Sequence, residues 1–160
     1  MASPHNESPD DGQPPSAEHT YFFYGSLMDP TTFQGVTLAP NPPEYRDAWI
    51  EGYQVRMWGP YPALCPVSSA AGASPADAKP SRVVGKVWVD PSRDPYILHR
   101  LQRYETANYE PRIVTAHFFD GKSPPAQMRA FVWAGAESLL SDGEFDLKVY
   151  QGRSNEPPSP

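Results

Sequence analysis

Two places in this 160-residue chain hold residue types that could do chemistry. In the first, an apolar aromatic run, TYFFYGSLMDP from Thr20 to Pro30, stops at Gly25-Ser26 and gives way to the helix-start pair Asp29-Pro30. Consecutive N–H groups of Gly25, Ser26 and Leu27 close to a helix N-terminus can hold a carboxylate. A plain strand-to-helix turn, with glycine supplying the backbone angles, gives the same letters, and both readings stand. The second place is Glu105, which continues the apolar face of a helical segment beside Tyr104 and shortly before Tyr109. A carboxyl that loses hydration there gains a pKa suited to a general base, whereas a fraying helix end would roll it to the surface. Glu110, in the following strand, is a rival acid that reads more simply as a solvent-facing residue.

Other chemistries lack their residues. An ATPase-type phosphate loop needs a longer glycine-rich turn ending in Lys-Ser/Thr, a dinucleotide fingerprint needs three spaced glycines, and Ser26 does not sit in a G-x-S-x-G elbow. His5, His19, His99 and His117 show no ligand spacing, and no aspartate cluster resembles a calcium loop, so no bound metal is expected. The single cysteine, Cys65, lies in the apolar stretch ALCPV and reads as a packed, inert thiol. Trp49, Trp58, Trp88 and Trp133 read as core and rim aromatics, some of which would line a pocket.

The elements that must position these residues follow from local patterns. Thr20 to Gly25 is predicted as a central strand covered on both faces, followed by a short helix from Pro30 to near Gly35. Tyr45 to Pro66 alternates loosely, with bends at Gly52 and Gly59-Pro60, and predicts a meandering antiparallel pair. Ser68 to Ser81 is an exposed loop, and Arg82 to Val89 a strand in which Gly85 marks a close backbone approach or a bulge. The clearest helix spans Pro91 to Tyr104, with Asp94 able to cap it and Ile97, Leu98, Leu101 and Tyr104 on one face. Tyr109 to Asp120 and Gln127 to Gly135 read as a hairpin, with Pro111 pushing its first strand toward an edge, and a last amphipathic piece spans about Gly143 to Tyr150. Strands in hairpin-sized groups without regular alternation with helices predict an α+β domain built on a curled mixed sheet or small barrel.

Composition bounds the rest. The Pro/Ser-rich ends, residues 1–18 and 151–160, have little to bury and are expected to be disordered tails around one domain at 19–150. A net charge of −6, with no clustered Lys and Arg, argues against a nucleic-acid partner. No stretch approaches the roughly 20 apolar residues of a membrane span, and the N-terminus lacks the order of a secretion signal. A lone cysteine rules out an internal disulfide, and the expectation is a cytoplasmic protein.

Five segments in order resemble the γ-glutamylcyclotransferase-like family, which includes the plant avirulence-induced-gene group and the γ-glutamylamine cyclotransferases. YFFYGSLMDP is similar to the family's strand-ending Y-G-S-L/N loop, and AWIEGYQVRMWGPYPALCP to its A-x-x-x-G-Y … Y-P-A pair. VVGKVWV resembles its V-x-G-x-V/L-Y/W strand, LQRYETANYEPRIVTA its L-D-x-Y-E-x-x-x-Y-x-R-x-x-V segment, and AFVWAG its late A-x-V-Y/W strand. Together they run from about Tyr21 to Gly135. The resemblance implies a small mixed, mostly antiparallel β-barrel with short helices packed outside and a cavity floored by the Y-G-S loop. It implies Glu105 as the acid/base carboxylate, and Tyr24, Gly25, Ser26, Leu27 and Tyr109 as the substrate-binding residues.

The reaction so implied cyclises a small γ-glutamyl compound to 5-oxoproline with release of an amine or amino acid, and it needs no cofactor. A monomer or weak homodimer is expected, with no nucleic-acid or membrane partner. A related acyl-transfer or amide-cleaving enzyme acting on a specialised metabolite, and a non-catalytic binding module of the same fold, are the alternatives. Gln102 stands where the family often has aspartate, Thr106 where glycine frequently follows the glutamate, and the Ser68–Ser81 loop is longer than usual. These departures bear on substrate identity more than on fold.

Overall fold

The computed structural model describes residues 17–67, 81–92, 94–143 and 145–149. Residues 1–16 of the expected tail at 1–18, the expected tail at 151–160 and nearly all of the expected loop at 68–81 lie outside the described residues, while Ala17 and Glu18, the last two of the expected N-terminal tail, form a 3₁₀ turn with His19 that leads into the first strand.

Seven strands make one sheet: β1 (Thr20–Phe23), β2 (Arg46–Glu51), β3 (Tyr53–Trp58), β4 (Tyr61–Pro66), β5 (Arg82–Val89), β6 (Tyr109–Phe118) and β7 (Ala126–Trp133). Their order is β1-β5-β2-β6-β7-β4-β3, with β1 also paired to β7. Five strands therefore close on themselves as a barrel. Its ladders are antiparallel except at the seam, where β1 meets β7 in parallel at Tyr21↔Arg129. The β3–β4 hairpin stands outside this ring and joins β7 farther along, at Leu64↔Val132. The architecture is the mixed, mostly antiparallel barrel that the sequence predicts.

β1 explains how such a short strand can anchor the fold. All four of its residues are buried, and alternate side chains serve two cores. Phe22, followed by Tyr24, enters the barrel, where Ala48, Ala116 and Ala130 leave room for Ile50, Val87 and Met128. Tyr21 and Phe23 face outward onto Leu27, Phe33, Trp88, Ile97 and Leu101, the layer between barrel and helices. The partner strand must come very close: a Cβ on Gly85 would lie 2.2 Å from the Phe23 carbonyl oxygen and 2.7 Å from the Phe22 ring. The β2–β5 register runs unbroken through Ala48↔Gly85, so Gly85 marks a close approach and not a bulge.

Helix α1 (Pro30–Thr37) starts as predicted, with the Asp29 carboxylate accepting from the Thr32 amide at 2.8 Å and proline in the first turn. It runs two residues beyond Gly35 because Phe33 and Thr37 are buried, and that burial outweighs glycine's poor helix propensity. Helix α2 (Tyr96–Glu105) begins where the Asp94 carboxylate accepts from the Tyr96 amide at 2.9 Å, and it buries Ile97 and Leu101. Its first residue lies five beyond the predicted start at Pro91.

One other expectation is corrected: the predicted antiparallel pair over 45–66 is three strands, since the chain bends at Gly52 (φ 86°) and β2 stays in the barrel while β3 leaves it. Pro111 lies where β6 pairs with β7 alone among the described strands, as an edge position would, and β2 covers the other side of β6 only at Ala116–Phe118, beyond the proline. Of the predicted piece at 143–150, residues 147–149 are helical, while 144 and 150 are outside the described residues. Among the described residues no helix is long and apolar enough to cross a membrane.

Candidate active site

Glu105 is the last residue of α2, and the turn after it is fixed rather than frayed. The Thr106 amide donates to the Gln102 carbonyl at 2.9 Å, and the Thr106 carbonyl accepts from the Tyr109 amide at 3.2 Å. The Asn108 carbonyl then accepts from the Ala134 amide at 2.7 Å, which ties the turn to β7. Thr106 pays for this reversal with φ 71° and ψ 176°, a backbone region suited to glycine. Held in this way, the Glu105 carboxyl stays in apolar surroundings instead of rolling to the surface.

The other half comes from the turn after β1. Met28 and Asp29 donate back to the carbonyls of Gly25 and Ser26 at 2.9 and 3.0 Å, closing the single 3₁₀ turn Ser26–Met28. The amides of Gly25, Ser26 and Leu27 donate to no described residue. Leu27 buries its side chain in the layer under the helices, and its carbonyl accepts a short hydrogen bond from the Tyr45 hydroxyl, so its main chain is anchored. Gly25 has no room for a side chain: a Cβ there would lie 2.7 Å from Cγ of Pro62 on β4.

These two halves line one cavity of about 450 Å³, to which the tip of the β3–β4 hairpin adds Trp58, Tyr61 and Pro62. The size suits a small metabolite. Burial pushes the Glu105 carboxyl up to about 8, and no described residue gives it a hydrogen bond or ion pair. An unpaired carboxyl in a cavity, with a pKa near neutrality, is equipped to take and return protons.

Tyr24 and Tyr109 also line the cavity, but their hydroxyls are engaged elsewhere. Tyr24 donates to the Phe131 carbonyl at 2.5 Å and accepts from the Leu64 amide at 3.3 Å, bridging β7 and β4 at the place where the hairpin leaves the barrel. Tyr109 donates to the Pro62 carbonyl at 2.8 Å. Burial, and next the Glu105 carboxylate, push both phenols well above their ordinary range. Each therefore offers a ligand its ring, while its hydroxyl holds the hairpin.

The rivals fall away from the cavity. Glu110 pairs with Arg112 at the surface, His99 is exposed on α2, and Cys65 is a buried thiol raised by desolvation, with its Sγ 3.7 Å from the Ala63 carbonyl. Among the described residues no group of three His, Cys, Asp or Glu could hold a metal ion. Local sequence reading did not single out Tyr61, Pro62, Tyr104 or Thr106 for the site, all of which line the cavity. The aromatics flanking the tight turn in WGPY were the available signal for the hairpin pair. Tyr104 reaches the other half directly, since its hydroxyl and Ser26 Oγ share a hydrogen bond of 2.5 Å.

A family model described as "Gamma-glutamyl cyclotransferase, AIG2-like" matches residues 21–147. Among solved structures, an Arabidopsis thaliana protein determined in solution is 21% identical with a TM-score of 0.60, covering 92% of this chain and 79% of its own. A mouse AIG2-like protein is 16% identical with a TM-score of 0.55, covering 82% and 90%. A yeast γ-glutamyl cyclotransferase described as specific to glutathione is 14% identical with a TM-score of 0.53, covering 90% of each chain. At these identities the structural likeness establishes the fold alone. No curated protein matches the chain in sequence.

Proposed function

The chain belongs to the γ-glutamyl cyclotransferase, AIG2-like family, and from that membership we propose that it cyclises a small γ-glutamyl compound to 5-oxoproline, releasing an amine, with Glu105 as the acid/base group. The observation that supports this reading is one cavity lined by Glu105, a carboxyl near pKa 8 with no partner among the described residues, and by Gly25, Ser26 and Leu27, whose amides donate to no described residue.

The substrate's α-carboxylate lies on the amides of Gly25, Ser26 and Leu27, and its α-ammonium beside Glu105. A bound ammonium favours the carboxylate form of Glu105, which then removes a proton. The freed amine attacks the γ-carbonyl of the same molecule and closes a five-membered ring. As the tetrahedral intermediate collapses, the bond to the leaving nitrogen breaks and protonated Glu105 returns a proton to it, while the ring nitrogen's second proton passes the same way, so that 5-oxoproline is left with one N–H and the amine departs as an ammonium. Nucleophile and electrophile belong to one molecule, so the protein supplies a ring-forming rotamer and a place for protons, with no covalent nucleophile required.

The test is a panel of γ-glutamyl dipeptides, γ-glutamylamines and glutathione, with 5-oxoproline detected by mass. Glu105→Gln should remain folded and lose about a hundred- to ten-thousand-fold in rate. Near-normal turnover by that variant removes Glu105 from the mechanism, and silence of the wild type across the panel removes the cyclisation reading itself.

A further inference from the structure

We propose, resting on the cyclisation reading, that Tyr45 is a positioning residue for the substrate's α-carboxylate, acting from outside the cavity through the main chain of the turn after β1. Tyr45 immediately precedes β2 and is not one of the residues lining the cavity. Its hydroxyl donates to the Leu27 carbonyl, 18 positions earlier in the chain. That contact ties the entry of a barrel strand to the turn whose amides would meet the carboxylate.

The Leu27 carbonyl and the Met28 N–H belong to one planar amide. Met28 N–H donates in turn to the Gly25 carbonyl at 2.9 Å, and that carbonyl shares its own amide with the Ser26 N–H. Two hydrogen bonds thus connect the Tyr45 hydroxyl to the Ser26 N–H through two peptide units. Such a chain is cooperative: a bond received by a carbonyl polarises its amide and strengthens the bond that the amide's N–H donates, by roughly 10–30% per bond. The Leu27 N–H lies in a different peptide unit, whose carbonyl, that of Ser26, accepts from the Asp29 amide at 3.0 Å. Tyr45 therefore acts on the Ser26 amide more than on its neighbour.

The donor itself is held in place. The Tyr45 ring meets Phe23 at 6.4 Å and 78° and Phe33 at 6.1 Å and 84°, in the same layer into which Leu27 packs its side chain. Burial, and next the Asp29 carboxylate, push the phenol well above its ordinary range, so it keeps its proton and remains a donor at neutral pH. A carboxylate bound at Ser26 makes a charge-assisted bond, the kind most responsive to the polarity of its donor. Because the α-carboxylate is remote from the γ-carbonyl under attack, this contact is the same in substrate and transition state and is read in KM.

The experiment uses Tyr45→Phe, which keeps the ring between Phe23 and Phe33 and removes only the donor. On the panel compound that the wild type converts to 5-oxoproline, KM should rise by about three- to tenfold while kcat changes less than about twofold. On the analogue of that compound whose α-carboxylate is replaced by a carboxamide, the two proteins should share one KM, an outcome that a general loosening of the fold would not give. In ¹⁵N-labelled protein without substrate, the amide protons of Met28 and Ser26 should move upfield in the variant, and that of Leu27 should move less. An unchanged KM, an equal rise for the carboxamide, or a Ser26 amide that stays in place overturns the inference and leaves cyclisation standing. Turnover of no panel compound by the wild type overturns the cyclisation reading and this inference with it.

Discussion

Ser26 Oγ and the Tyr104 hydroxyl stand 2.5 Å apart, a bond between residues 78 positions apart in sequence that spans the two halves of the cavity. Ser26 belongs to the turn that carries the free amides, and Tyr104 immediately precedes Glu105. The bond therefore sets the distance between the group that would hold a carboxylate and the group that would move a proton. It is exposed, so its weight in stability is modest. Ser26→Ala and Tyr104→Phe should each cost under about 1 kcal/mol in urea denaturation, and the double variant should cost less than their sum. Full additivity would show that the two hydroxyls do not cooperate in solution.

The Glu105 carboxyl makes two pH dependences with opposite signs. As the proposed base it would work ionised, so kcat/KM for a γ-glutamyl substrate should climb with pH and level off above about 8. For stability, the native state holds this proton more tightly than the unfolded chain, whose value is near 4.5. Between about 4.5 and 8 the native state thus binds more protons, and this group's contribution to stability falls as pH rises. Glu105→Gln should remove that slope and become more stable than the wild type at alkaline pH by on the order of a few kcal/mol, at about 1.4 kcal/mol per tenfold change in proton affinity. Denaturation midpoints of the two proteins that run parallel from acid to alkaline pH would contradict a desolvated carboxyl.

Thr106 occupies a conformation, φ 71° and ψ 176°, that a β-branched residue adopts only under constraint. Thr106→Gly should stabilise the fold by about 1 kcal/mol, the relief of strain exceeding glycine's entropic disadvantage, and raise the melting temperature by about 2–4 °C. A lower melting temperature would show that the threonine is at ease in the turn.

Tyr24→Phe leaves the buried Leu64 amide and Phe131 carbonyl short of one partner each. The expected loss is about 1–3 kcal/mol by chemical denaturation. Tyr109→Phe frees only the Pro62 carbonyl and should cost less. Equal losses would mean that the Tyr24 hydroxyl has no special place where the hairpin joins β7.

Much of this was legible in sequence because the signals are local. TYFF is uncharged throughout and aromatic in three of its four residues, as befits a strand wrapped on both sides, and Asp29-Pro30 and Asp94 mark helix starts by short-range hydrogen bonds. Glu105 and the Gly25–Leu27 amides could be nominated separately from their own neighbourhoods. Their meeting in one cavity depends on barrel closure, which no local period encodes. The hairpin was harder. Nothing in the alternation of 45–66 says that the chain leaves the barrel at Gly52, since the decision rests on a pairing between Leu64 and Val132 far along the chain. Tyr61 and Pro62 accordingly entered the site only with the fold. The two residues of α1 past Gly35 were hidden for the same reason, because Phe33 and Thr37 are buried by elements distant in sequence.

β7 meets β1 at Arg129 and β4 at Val132, and both the barrel and the hairpin wait for it. Every side chain named for the chemistry has been translated by the time Tyr109 emerges, yet the hollow they enclose has no closing stave until residues 126–133 follow. A ribosome-stalled fragment ending before Ala126 would carry the acid, the loop and the aromatic shelf as unassembled parts. A chain that stops inside that strand would lack the stave that closes both the barrel and the cavity, whatever precedes it.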